Sequence, residues 1–297
     1  LIQSIVTFLA FFYLYKFFNE NINSNEINIR FTPKSFLIIL LLFTSNHFHS
    51  LGWSRILASS EKLNKENTYL YAMKSHIGKY SFLKFGNFFI KLSQDYEKIN
   101  KRNFFGKAII EQISSVVIAL TFGIYILYND NSLLTFGLVL LVNAILFFIF
   151  TTLTANRSRI SEKSTYSNSY LLYYLCTTCI QFLTIAYFFK SVEIDQFVYF
   201  SAVYLFSSAL SIVVSIIPAG LGVKESIFLY FASINLGQTE LLNTLIQLRF
   251  LFIIADIMSY FYSLFYVKIS KMMDISSGRS DTPCFSVCIW RVYVIRS

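Results

Sequence analysis

The chain has 297 residues, of which 55% are apolar and 19% aromatic but only 14% charged, with a net charge of +9 and a mean hydropathy of +0.56. Soluble domains carry about one quarter charged residues, so this composition excludes an ordinary soluble enzyme and a disordered chain and leaves an integral membrane protein. Only 10 Gly and 3 Pro, and no alternating strands of about ten residues, argue against a β-barrel and for a helical bundle.

In chain order, residues 1–18 form the first apolar run. No cationic region precedes it and no small-x-small site follows, so it reads as a span and not as a cleaved signal peptide. The second run, 36–57, is apolar from Phe36 to Phe43 and then polar from Thr44 to Ser50, so its second half must face protein or water. Residues 55–107 are basic, with Tyr and Phe interleaved between Lys74, Lys79, Lys84 and Lys91. Such a stretch forms either a re-entrant hairpin, turned at Gly78 and Gly86, or an amphipathic helix flat on the bilayer. Further spans are expected at 108–128, 132–154, 169–189 and 197–217, then a break at Pro218–Gly222, then 223–236 and 241–267. The fold class is thus an all-α polytopic bundle over residues 1–270, with about eight transmembrane helices, one or two of them re-entrant or broken, and a tail over 271–297.

Charge orients the bundle. Of 25 Lys and Arg, eleven lie between Arg55 and Lys107, three between residues 155 and 168, and five from Lys268 onward. All fall on one side if eight spans alternate, which makes that side and both termini cytoplasmic. The positive charge reflects this bias and needs no nucleic-acid partner. Cys176 and Cys179 lie in an apolar run and act as small hydrophobes, Cys284 and Cys288 lie in the tail, and neither a metal site nor a cofactor is expected.

Five ionisable residues remain at membrane depth: Glu111, Lys224, Glu225, Arg249 and Asp256. An Asp, Lys or Arg there costs roughly 2.5–3.5 kcal/mol on the insertion scale, so each needs a partner or water. Glu111 and the Lys224-Glu225 pair read alternatively as interfacial. Arg249 and Asp256 share a helix face about 10 Å apart, too far to pair, which leaves Lys224 and Glu225 as their candidate partners. His47 and His49 point in different directions on one helix and are read as structural hydrogen-bonding groups before a proton relay. At the break, Pro218 removes a donor, Gly220 and Gly222 free the backbone, and the next helix opens with Lys224 and Glu225 in its first turn. That combination is a cradle for a phosphate or carboxylate, or else a short cytoplasmic turn.

The run Pro218-Ala219-Gly220-Leu221-Gly222-Val223-Lys224-Glu225, followed by an apolar helix and Leu248-Arg249, resembles the flippase-like membrane region of lysylphosphatidylglycerol synthases and their stand-alone relatives. Trp53-Ser54-Arg55-Ile56-Leu57, Ile77-Gly78-Lys79-Tyr80 and the position of Glu111 are similar to earlier segments of that family, over about residues 36–267. Ala219, Ser226 and Ser81-Phe82 depart from its pattern. The resemblance implies a bacterial inner-membrane protein that moves an anionic phospholipid or a polyprenyl-phosphate-linked glycan, with envelope-biosynthesis enzymes as partners. It implies a substrate site at Pro218, Gly220, Gly222, Lys224, Glu225, Arg249 and Asp256, with Gly78, Lys79 and Glu111 as additional members. No stretch matches the synthases' aminoacyl-transfer domain, so no lysyl transfer and no other catalysis is expected. The alternatives are a secondary transporter of a small anion, coupled to protons through Asp256 or Glu111, and a non-transporting partner of an envelope glycosyltransferase.

Overall fold

The computed structural model describes residues 32–58, 65–80, 85–93, 101–122, 169–192, 196–213, 223–232 and 238–276, with a few isolated positions between them. The described residues are all-helical, as the composition requires. The first described helix, α1 (Pro33–Ala58), starts three residues before the apolar run because Thr32 caps it. The Thr32 hydroxyl accepts the Ser35 amide at 3.3 Å, the Ser35 hydroxyl accepts the Thr32 amide at 3.2 Å, and Pro33 takes the first helical position, where no amide is needed.

The basic segment folds as α2 (Lys65–Ser75), a 3₁₀ turn (His76–Tyr80) and α3 (Phe85–Leu92). Helices of 11 and 8 residues are only about 12–17 Å long. They pack into the bundle, with Ile77, Tyr80 and Ile90 buried against Ile253. Gly78 makes this packing possible. A Cβ there would lie 2.5 Å from the Asn87 amide nitrogen and from the Gly86 carbonyl carbon, so only a bare backbone fits between the turn and α3.

Next comes α4 (Lys101–Thr121), which begins seven residues before the expected span. Its first turns are anchored by Phe104, fully buried between the rings of Trp53 and Phe88 at 5.4 and 5.1 Å. Helix α5 (Ser169–Ser191) carries Thr177, Thr178 and Thr184, whose hydroxyls donate to carbonyls one turn back at 2.6–3.0 Å. Polar residues inside an apolar helix thereby satisfy themselves. The same holds for Ser201, Ser207 and Ser208 in α6 (Phe197–Val213).

Helix α7 (Val223–Ala232) has 10 residues, about 15 Å, half the thickness of a hydrocarbon core. Its Phe228 is buried against Phe189 and Phe200. The last described helix, α8 (Gln238–Ser276), overruns the expected 241–267 at both ends, since no Gly or Pro interrupts the sequence between those bounds. The main core joins α1, α5, α6, α7 and α8 through Leu42, Phe188, Phe189, Val203, Phe228 and Leu248.

Among the described residues four helices, α1, α4, α5 and α8, are long and apolar enough to cross a membrane, and the chain is a helical membrane protein. The run 1–18, most of 132–154, the break with Pro218, Gly220 and Gly222, and the tail beyond 276 lie outside the described residues.

Candidate functional site

Between the helices lies a cavity of about 1000 Å³, to which every described element from α1 to α8 except α2 contributes. Its cations are Lys79 from the 3₁₀ turn, Lys91 from α3, Lys224 from α7 and Arg249 from α8. An amide and an imidazole of α1, Asn46 and His49, face the same space, as do Glu111 of α4 and Tyr174 of α5. The polar half of α1 accordingly faces protein: Ser45, Asn46 and Ser50 are buried.

Asp256 is 0% exposed in the middle of α8. Its Oδ1 accepts from Asn46 Nδ2 at 2.9 Å, and its Oδ2 accepts from Tyr80 Oη at 2.5 Å and from Lys79 Nζ at 2.6 Å. Asn46 Nδ2 also donates to Ser259 Oγ at 3.1 Å. The expected partners of Asp256, Lys224 and Glu225, are therefore replaced by Lys79 and Tyr80. The 3₁₀ turn, held close by Gly78, carries both to the face of α8 that Asp256 occupies.

Arg249 is paired as expected: its guanidinium binds Glu225 and ties α7 to α8. Lys224 turns the other way. Its Nζ sits 3.4 Å above the Tyr204 ring, with Phe252 at 5.5 Å, in an aromatic setting that attracts a cation electrostatically. Both Lys224 and Arg249 line the cavity.

Glu111 is 1% exposed, enclosed by protein. Lys91 Nζ donates to its Oε1 at 2.5 Å, and His49 Nε2 lies 3.6 Å from the same oxygen. The Lys91 ammonium also sits 4.4 Å over the Trp53 ring. Burial holds Lys91 below the ordinary lysine value, and Glu111 draws it part of the way back. The two histidines of α1 do diverge: His47 Nδ1 meets Tyr69 Oη at 2.5 Å on α2, while His49 faces Glu111 and lies 5.3 Å from the His76 ring. His76 Nε2 in turn contacts Ser50 Oγ at 3.2 Å. Cys176 and Cys179 are free and half-buried in α5. Among the described residues no three His, Cys, Asp or Glu are grouped to hold a metal ion.

Comparison of the chain with protein-family models, curated proteins and solved structures finds no match.

Of the residues singled out in the sequence, the structure brings Lys79, Glu111, Lys224 and Arg249 to one cavity, with Asp256 and Glu225 directly behind as counter-ions. Gly78 acts through packing. Sequence reasoning did not place Asn46, Tyr80, Lys91, Tyr174 or Tyr204 in the site. A signal existed for Lys91, a charge enclosed by Phe88-Phe89-Ile90 and Leu92, and for Asn46, at the centre of the polar half of α1.

Proposed function

We propose that this chain, in a bacterial cytoplasmic membrane with both termini inside, binds an anionic lipid or lipid-linked substrate and moves its headgroup across the bilayer. The observation that carries this reading is the pairing of a cationic interior with an apolar rim. Four cations face a cavity that Phe89, Phe105, Ile109 and Ile113 also line, and these four are 40–56% exposed on the outside of α3 and α4. An amphiphile needs such an arrangement: charge for the headgroup inside, apolar surface for the chains at the rim. The rim is where the chains of a bound amphiphile would rest, which supports a lipid substrate. The resemblance of residues 36–267 to the flippase-like region of lysylphosphatidylglycerol synthases points the same way.

In this reading Lys224 is the first contact for the headgroup, resting on Tyr204 at the cavity wall, and the Arg249–Glu225 pair fixes the half-length helix that carries it. The test is translocation in reconstituted vesicles, followed by chemical quenching of fluorescent phosphatidylglycerol and fluorescent phosphatidylcholine. The anionic lipid should cross faster than the zwitterionic one. Lys224→Ala should weaken its binding by about tenfold to a hundredfold, the equivalent of a charge-assisted contact of roughly 1.5–3 kcal/mol. Equal rates for the two lipids, or rates no higher than in protein-free vesicles, would rule the reading out.

A further inference from the structure

The two buried carboxylates Asp256 and Glu111 are held in different ways. Asp256 has donors on both oxygens, Asn46 on Oδ1 and Tyr80 with Lys79 on Oδ2, and it does not itself line the cavity. Glu111 does line it, and both of its contacts fall on Oε1. The one from His49, at 3.6 Å, is longer than a hydrogen bond. Polar atoms without a hydrogen bond line the same cavity as this second carboxylate. Tyr174 is 1% exposed, lies close enough to Glu111 to feel its charge, and its hydroxyl makes no hydrogen bond. Asn87 Oδ1 and Ser115 Oγ, also at the cavity, are buried without one. Buried polar atoms are normally satisfied, so such a cluster marks a place where a polar group is received.

The cation there has a second support besides Glu111. Lys91 Nζ is held over the Trp53 ring on one side and needs an anion on the other, because burial disfavours its charge. A bound anion can supply that counter-charge in place of Glu111, and a carboxylate displaced inside a low-dielectric bundle is stable only when protonated. Among the described residues, the charged and titratable groups that face Glu111 are Lys91 from α3, His49 from α1 and Tyr174 from α5, with His76 and Lys79 of the 3₁₀ turn behind His49.

We propose that anion binding at Lys91 is coupled to proton uptake at Glu111, with His49 passing the proton. The exchange balances. One O–H bond forms on Glu111; its proton comes from bulk water through the His49 imidazole, which gives up one proton and regains another. The Lys91 ammonium keeps its protons and changes counter-ion from carboxylate to a phosphodiester or similar monoanion. The lysine, the neutral acid and the bound anion together carry the zero net charge of the original pair, so the anion enters the membrane interior without adding charge to it. Asp256, locked by its donors, takes no part.

This rests on the reading of the cavity as an anion path, and the test separates the two. The full chain, in zwitterionic micelles with weak buffer and a pH-indicator dye, is titrated with phosphatidylglycerol and, separately, with dimethyl phosphate. Both are diesters whose charge does not change near neutral pH. The expected result is about one proton taken up per anion bound, with affinity falling about tenfold for each unit of rising pH. Glu111→Gln should bind with no proton uptake and an affinity independent of pH. Lys91→Gln should lose both binding and uptake. Binding of phosphatidylglycerol alone assigns the site to a lipid and binding of both probes to a free anion, and in each case the proton count decides the coupling. Binding by the parent without proton uptake, or uptake unchanged in Glu111→Gln, overturns the coupling and leaves the proposed function standing. Failure of the parent to bind either probe overturns both.

Discussion

The Lys79–Asp256 pair fastens the 3₁₀ turn to the last helix, and its contribution can be measured by a double-mutant cycle. Asp256→Asn keeps the shape of the side chain and removes its charge, leaving the Lys79 ammonium 2.6 Å from a neutral oxygen. Breaking a fully buried pair costs about 3–5 kcal/mol, because the remaining charge is stranded. Here the lower end applies: the Asp256 side chain is 1% exposed but that of Lys79 is 32% exposed, so the lysine can turn toward water. A loss of about 3 kcal/mol corresponds to roughly 6–12 °C in midpoint for a chain of this size. Lys79→Met alone should cost a similar amount, since the carboxylate then keeps only Tyr80 and Asn46. With both changes no charge is left stranded, so the double variant should lose about as much as either single one, a coupling of roughly 2–3 kcal/mol. The measurement is thermal or denaturant unfolding of the four purified proteins in one detergent. Losses that add to within about 0.5 kcal/mol would show that Lys79 and Asp256 do not interact, and would refute the placement of the turn against α8.

Gly78→Ala should destabilise the fold by about 1–3 kcal/mol, because its Cβ would meet the backbone of Gly86 and Asn87 at 2.5 Å, whereas Gly106→Ala, with nothing within 4 Å, should be neutral or slightly stabilising. Equal melting behaviour of the two variants would contradict the close approach at Gly78. Reporters fused after Lys163 and after Lys271 should read cytoplasmic and one after Asp130 periplasmic, and a periplasmic signal at Lys163 would sink the alternation of eight spans drawn from the basic residues.

The helices were legible because hydropathy and helix breakers are local properties. At two of the shifted boundaries a side-chain effect was responsible: the Thr32–Ser35 cap set the start of α1, and the seating of Phe104 against Trp53 and Phe88 drew α4 seven residues earlier. The buried charges were legible for an energetic reason. Arg249 and Asp256 stand in apolar surroundings where an unpaired charge is expensive, so their presence alone required partners. Which partners was not legible. Tyr80 and Asp256 are 176 residues apart, and although the Ile77–Tyr80 segment singled out Lys79 by its resemblance, nothing local pointed that lysine to Asp256. The lysines of that stretch already had an explanation in the cytoplasmic charge bias, and that explanation concealed Lys91 inside the bundle.

The neutral members of the site were harder still. An Asn or Tyr at membrane depth costs little beside a charge, so Asn46, Tyr80 and Tyr174 raise no alarm in a sequence until the charges they serve are located. Their arrangement separates the roles of the two carboxylates. Asp256, with Asn46, Tyr80 and Lys79 all directed at it, ties α1, the 3₁₀ turn and α8 together, and substitution there should register first as lost stability. Glu111, held through one oxygen beside the unbonded Tyr174 hydroxyl, is the carboxylate free to exchange its counter-ion, and Glu111→Gln should alter anion binding and its pH dependence before it alters melting. If Glu111→Gln lowers stability as much as Asp256→Asn and leaves binding untouched, both carboxylates are structural ties and the division between them fails.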